Sequence, residues 1–234
     1  MEPLVISDLH AFYGKAHVLQ GVTLTAAAGA VTGLLGRNGA GKTTLLRSVM
    51  RLGPRTQGDV LLFGRPTAGM RADAIARAGV AYMPQGLRVF PRLSVRENLL
   101  VAAHASPSPR PIDEVLRILP TLEPLLHRRA GTLSGGQQQM VGLGRSLAMR
   151  CRVLLMDEPT EGLMPQLVSQ VGEIVRRIAA EGTAVLLVEQ NVQLVLNTCD
   201  RAYIMEKGRI KADGATRDLP SRGVLDRYLG LSVR

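Results

Sequence analysis

Residues 36–44 read G-R-N-G-A-G-K-T-T, which fits G-x-x-x-x-G-K-[ST], the P-loop pattern. A triphosphate tail carries several negative charges that must be held without room for many side chains. Gly36, Gly39 and Gly41 let the backbone curl tightly and turn its N–H groups inward. The candidate cradle is Gly36, Asn38, Gly39, Ala40, Gly41, Lys42, Thr43 and Thr44. Lys42 adds a point charge for the β/γ phosphates, and the Thr43 hydroxyl suits Mg²⁺.

The flanks supply the context this loop requires. A-V-T-G-L-L before it is apolar and partly β-branched, as a buried parallel strand is. T-T-L-L-R-S-V-M after it has helical spacing. A helix N-terminus placed there favours an anion.

The rest of the chain extends the α/β reading. The first thirty residues alternate like strands (L-V-I-S-D-L-H-A-F-Y, then A-H-V-L-Q-G-V-T-L-T), with a turn at Gly14-Lys15. G-D-V-L-L-F-G is a strand, R-A-D-A-I-A-R-A a helix, and G-V-A-Y-M-P-Q a strand ending at Gln85. From 86 to 150 helical patterns dominate, and Ser94 with Glu97 predicts a capping box. S-P-S-P-R-P, at 106–111, is a loop by composition. R-V-L-L-M-D-E-P returns to strand. Residues 165–180 form an amphipathic helix, and T-A-V-L-L-V-E-Q is a buried strand. A hairpin turns at Lys207-Gly208, and residues 221–229 close with a short helix. The expectation is one domain. Residues 1–85 and 151–234 make a nucleotide-binding α/β core of mostly parallel sheet with an N-terminal antiparallel β-subdomain, and 86–150 are an inserted α-helical subdomain.

With 234 residues, 46% of them hydrophobic, the chain can bury a substantial core. No apolar run approaches the roughly 20 residues that span a bilayer, and no signal peptide is visible at the start. Cys151 and Cys199 stand apart in sequence and read as small hydrophobes in a reducing compartment. The four histidines lack metal-ligand spacing. The net charge is +10, but the arginines are scattered and aromatics are only 3%. That offers few stacking platforms for bases and suits a basic surface near anionic headgroups better than a nucleic-acid groove.

Two further motifs carry chemistry. C-R-V-L-L-M-D-E ends an apolar strand with two acids. Asp157 is placed to hold Mg²⁺, as in other P-loop NTPases. Glu158 points the other way if the strand pleat persists, where it would accept a proton from, or orient, the attacking water. L-S-G-G-Q-Q-Q, at 133–139, begins a helix. Ser134 is a good N-cap, yet two glycines at a helix start go against propensity. They make sense if a ligand approaches the backbone closely, which marks a second anion site.

P-loop, Gln85 at a strand end, L-S-G-G-Q and strand-D-E-P, in this order, resemble the ATP-binding subunits of ABC transporters over essentially the whole chain. The resemblance implies head-to-tail dimers. Each ATP then lies between the P-loop of one copy and Ser134, Gly135, Gly136 and Gln137 of the other. It implies that Tyr13 stacks on adenine, and that Gln85 senses Mg²⁺ and water and contacts the membrane subunit. Thr43, Gln85 and Asp157 are then the metal set, and Lys42, Gln85, Glu158 and Gln190 the catalytic set. The run Q-G-L-R-V-F-P-R-L-S-V, with Phe90 its apolar contact, would line the groove for a permease coupling helix.

Two positions depart from the common pattern. Met164 stands where most members have a dimer-contact Asp, and Gln190 where most have a His on the γ-phosphate. Gln donates a hydrogen bond but cannot become a cation. E-G-L-x-P, L-V-E-Q-N and R-V-F-P-R-L-S-V-x-E-N-L are similar to branched-chain amino-acid importers and their urea/amide relatives. In that group the chain suits the smaller of two ATPase subunits, paired with itself or a sister. The expected partners are permease subunits and, indirectly, a periplasmic solute-binding protein, with the chain on the cytoplasmic face of the inner membrane. A urea or short-amide importer, a non-transport ABC ATPase and a binding-only regulatory subunit are the alternatives.

Overall fold

The computed structural model describes residues 2–86, 89–106, 108–221 and 223–230. Alternation near the N-terminus yields strands β1 (Leu4–Tyr13) and β2 (Ala16–Ala26), paired antiparallel across the Gly14-Lys15 turn. Strand β3 (Val31–Leu35) then runs into the P-loop and helix α1 (Lys42–Val49). Strands β4 (Arg55–Leu62) and β5 (Arg65–Pro66) complete a four-stranded antiparallel sheet ordered β2-β1-β4-β5.

Helix α2 (Ala72–Arg77) leads to β6 (Val80–Met83). Next come α3 (Val95–His104), α4 (Ile112–Ile118) and α5 (Gly135–Ala148), with two short 3₁₀ turns between the last two. Strand β7 (Val153–Asp157), helix α6 (Pro165–Ala180), strand β8 (Ala184–Glu189) and helix α7 (Val192–Thr198) follow. Strands β9 (Arg201–Glu206) and β10 (Arg209–Ala215) form the predicted hairpin, and α8 (Val224–Leu229) ends the described chain. The larger sheet is ordered β10-β9-β3-β8-β7-β6, parallel except for β10.

Several boundaries differ from expectation, β4 among them, which runs Arg55–Leu62 rather than over 58–64. Strand β6 stops at Met83 rather than Gln85, because Pro84 has no N–H to give a ladder. Helix α8 starts at Val224 rather than Ser221, after Gly223 at φ 63°.

The pleat of the larger sheet divides its side chains between two cores. Leu154, Met156, Val185 and Leu187 face α3, α5, α6 and α7. Val153, Leu155, Leu186 and Val188 face α1 and the antiparallel sheet. Each fully buried leucine contributes on the order of 2 kcal/mol. Both faces being covered is why β7 and β8 are apolar at almost every position. It also holds the carboxyl ends of β3, β8, β7 and β6 side by side, with Leu35 opposite Glu189 and Val188 opposite Asp157. Loops leaving those ends converge on one edge, where ligands of open α/β sheets bind.

Candidate phosphate-binding and hydrolysis site

At that edge the P-loop curls around a cavity of about 290 Å³ lined by residues 38–44 with Val18, Gln85 and Glu158. Gly39 (φ 77°) and Gly41 (φ 110°) take left-handed backbone there, which side chains with a Cβ rarely adopt. Gly41 is also the N-cap of α1 and has no side chain to cap it, and a bare helix start of this kind favours an anion. Lys42 is buried; its Nζ donates to the Gly36 carbonyl (2.8 Å) and the Arg37 carbonyl (3.3 Å) and pairs with Glu158 Oε1 at 2.9 Å.

Asp157 ends β7 on the α1 side of the sheet, where its Oδ1 accepts from Thr43 Oγ1 at 3.1 Å and its Oδ2 from the Tyr82 hydroxyl at 3.2 Å. Burial raises its pKa above the usual carboxylate range, and the two hydroxyl donors oppose that rise. A serine-type hydroxyl beside a carboxylate is the oxygen donor set a hard cation takes, so these residues fit Mg²⁺.

The pleat does not persist beyond Asp157, contrary to expectation. It would send Glu158 to the opposite core. Instead Glu158 sits at φ 46°, a left-handed conformation that costs a non-glycine residue about 1–2 kcal/mol. The turn swings its carboxylate back to the P-loop side, so Glu158 lines the cavity while Asp157 reaches it through its bond with Thr43.

Gln190 and Gln85 converge on the same carboxylate. Gln190 Nε2 donates to Glu158 Oε2 (2.7 Å) and to Asn38 Oδ1 (2.8 Å). Gln85 Nε2 lies 3.4 Å from Glu158 Oε2 and 2.8 Å from Glu161 Oε2. Sequence reasoning missed Glu189, the buried last residue of β8, which accepts from Thr160 and from the N–H groups of Gln190 and Asn191. Burial raises its pKa while those donors oppose the rise. An acid at the end of an otherwise apolar strand was the available signal, as it was for Asp157.

Tyr13 lies apart from the phosphate cavity, at the end of β1. Its ring is half-exposed beside Gly53, and its hydroxyl bonds Arg47, raising that guanidinium's pKa. Val18 is what the β1–β2 hairpin contributes to the cavity itself. Arg47, Tyr82, Met83 and Arg145 line a separate groove of about 550 Å³, whose exposed apolar rim includes Leu52 and Val101. Phe90 is half-exposed next to it, under the Arg145 guanidinium at 4.4 Å. The buried Asn98 fixes the Phe90 backbone through its N–H and C=O. Leu87 and Arg88, in the same predicted run, lie outside the described residues.

Ser134 caps α5 with the full capping box: its Oγ accepts from Gln137 N at 3.4 Å, and its own N–H donates to Gln137 Oε1 at 3.1 Å. The adjacent glycines differ. A Cβ on Gly136 would meet Leu167 of α6 at 2.6 Å, whereas one on Gly135 would meet nothing within 4 Å. Packing therefore accounts for Gly136 and not for Gly135. None of Ser134, Gly135, Gly136 or Gln137 lines the P-loop cavity of the same chain. The two are linked inside the protein by the buried Gln139, whose Nε2 donates to the Pro159 carbonyl one residue after Glu158.

A glycine cradle, a buried lysine, a hydroxyl–carboxylate pair and a second carboxylate at the sheet edge define a nucleoside-triphosphatase of the P-loop class. A family model described as ABC transporter matches residues 19–161, and the chain belongs to that family. It is 38% identical to the high-affinity branched-chain amino acid transport ATP-binding protein BraG of Pseudomonas aeruginosa, covering 97% of this chain and 99% of the relative. It is 35% identical to the probable branched-chain amino acid transport ATP-binding protein LivF of Archaeoglobus fulgidus (90% and 91% covered), and 33% to the lipopolysaccharide export protein LptB of Escherichia coli (100% of both). Among solved structures, the ADP conformation of MJ1267, an ATP-binding cassette of an ABC transporter, superposes with TM-score 0.85 at 28% identity, covering 99% of this chain and 100% of that one. As a family member the chain is an ATP-hydrolysing transporter subunit, of the kind that pairs with permease components. Among the described residues no helix is long and apolar enough to cross a membrane.

Proposed function

We propose that this chain is the ATPase subunit of an importer for branched-chain amino acids, held at the cytoplasmic face of the inner membrane by its permease partners. The observation that carries the reading is the 38% identity to BraG over nearly the full length of both chains. The L-V-E-Q-N run, whose Gln190 amide engages both Asn38 and Glu158, supports it.

In this reading the Lys42–Glu158 pair gives way when a triphosphate binds. The β/γ phosphates displace Glu158 from Lys42, and the freed carboxylate takes up the attacking water and accepts its proton. Gln190 and Gln85 orient that water and hold Glu158 over it. Thr43, Asp157 and Gln85 would hold Mg²⁺, which when bound supplies charge neutralisation to the transferring phosphoryl group. Tyr13 stacks on adenine. Ser134, Gly135, Gly136 and Gln137 cover the phosphates bound by a second ATPase subunit, head to tail, and residues 86–150 act as the subdomain that presents them. The groove beside Tyr82 and Arg145 receives the permease.

Reconstitution with its permeases in proteoliposomes tests the solute. Expected is ATP-dependent leucine, isoleucine or valine uptake in the presence of a solute-binding protein, abolished by Glu158→Gln. The 33% identity to LptB over the whole chain favours lipopolysaccharide export as a second reading. ATPase activity that responds to lipopolysaccharide and not to amino acids would select it.

A further inference from the structure

Glu189 is 3% exposed at the end of β8, between the ends of β3 and β7. Its Oε1 accepts from Thr160 N (3.1 Å) and Thr160 Oγ1 (2.7 Å), and its Oε2 from Gln190 N (3.1 Å) and Asn191 N (3.4 Å). All four donors are neutral, and they come from two different segments. Thr160 lies inside the turn that begins at the strained Glu158 and is closed by the Glu161 N–H on the Glu158 carbonyl. Gln190 begins the loop that leads into α7. A carboxylate is the side chain with four acceptor sites and no donor. An amide of the same shape would turn an NH₂ toward one pair of those donors.

We propose that Glu189 is a positioning residue for ATP hydrolysis: its buried carboxylate pins together the backbones that carry Glu158 and Gln190, and so sets the 2.7 Å contact between their side chains. The inference rests on the reading of Glu158 as the group that handles water and Gln190 as its partner. Neither bond from Gln190 to Asn38 nor that to Glu158 fixes where the Gln190 main chain lies. Glu189 holds it through the Gln190 N–H, and through Thr160 it adds a second tie to the one the Glu158 N–H makes with the Val188 carbonyl (2.9 Å) on the other side of the contact. Displacing a catalytic group by an ångström can cost roughly 100-fold in rate, so the clamp acts on turnover rather than on ATP affinity.

The test is a double-mutant cycle in the full-length chain, read by ATP hydrolysis and by equilibrium binding of a fluorescent ATP analogue. Glu189→Gln is expected to lower kcat roughly 10- to 100-fold with nucleotide affinity kept within about threefold. Gln190→Ala is expected to lower kcat as well, and the double variant to be no slower than the slower single within about twofold. Multiplying losses would show that Glu189 acts elsewhere and overturn the clamp. So would wild-type kcat in Glu189→Gln, or a loss confined to affinity. An unaffected Gln190→Ala overturns the proposal differently, by removing the role of Gln190 on which it rests. Should Glu189→Gln fail to fold, Thr160→Val decides. It must lower kcat at unchanged affinity, and Thr160→Ser, which keeps the hydroxyl, must recover it; equal activity in both ends the proposal.

Discussion

At the P-loop, Lys42, Glu158, Gln190, Asn38 and Gln85 are bonded to one another. At the start of α5, Ser134 and Gln137 satisfy each other within one capping box, and the space over Gly135 is open. In the proposed mechanism the first region has to be unlocked, because a triphosphate that takes Lys42 must take it from Glu158. The second is a capped helix N-terminus with open space over Gly135, the kind of end that favours an anion. One chain thus holds a closed site and an open one. Gln139, bonded to the Pro159 carbonyl, joins the two regions inside the protein.

The largest effect sought is on the locked side. Glu158→Gln keeps the shape and loses the base, so ATP should still bind while kcat falls on the order of 10²–10³-fold. Single-turnover hydrolysis with nucleotide binding measured alongside checks this. Hydrolysis at the wild-type rate would remove Glu158 from the water.

Next comes the lock itself. Lys42 and Glu158 are both almost fully buried, and removing one partner strands the other charge. Lys42→Met should destabilise the nucleotide-free protein by about 3 kcal/mol, and the neutral pair Lys42→Met/Glu158→Gln should recover most of that loss. Urea unfolding of the four proteins without nucleotide gives the answer. A single variant as stable as wild type would mean that the ion pair contributes nothing.

The open side is sharpened by its two glycines. Gly136→Ala sets a methyl against the tip of the half-buried Leu167 side chain, which can shift, so crowding and helix propensity should nearly cancel, within about 1 kcal/mol. Gly135→Ala meets nothing and should gain up to about 1 kcal/mol through helix propensity. Yet it should slow hydrolysis wherever a second subunit's phosphates approach it, while leaving P-loop nucleotide affinity alone. Stability losses of equal size at both positions would erase the contrast.

How much of this was legible in the sequence follows from what each feature depends on. The strands and helices of the core carry their signal locally, in β-branched runs such as that of β8 and in caps such as Ser94, whose predicted capping box is formed with Glu97. The P-loop, Asp157 and the helix start at Ser134 are likewise local motifs. The direction of Glu158 is not legible, because alternation reaches one residue past the end of β7 and a left-handed residue reverses it there. Glu189 was hidden for a related reason. Its partners lie at Thr160 and along the next loop, so its meaning exists only once β7 and β8 are side by side. The separation of Tyr13 from the P-loop cavity depends on the docking of the antiparallel sheet, which no short motif encodes.

The smallest effect tests the residue that ties the locked region shut. The Gln190 amide spans two acceptors with one NH₂ group. A neutral imidazole has a single N–H and can serve only one of them, whereas an imidazolium has two donors and a charge. Gln190→His should therefore retain most of its activity, with a loss of a few-fold at most. It should also acquire a pH dependence absent from the parent, faster on the acid side of a transition near about pH 6.5, the ordinary histidine range. Parallel kcat–pH profiles of the two proteins measure it. An inactive variant at every pH would show that both amide bonds are needed at once, and that the lock and the water site are the same device.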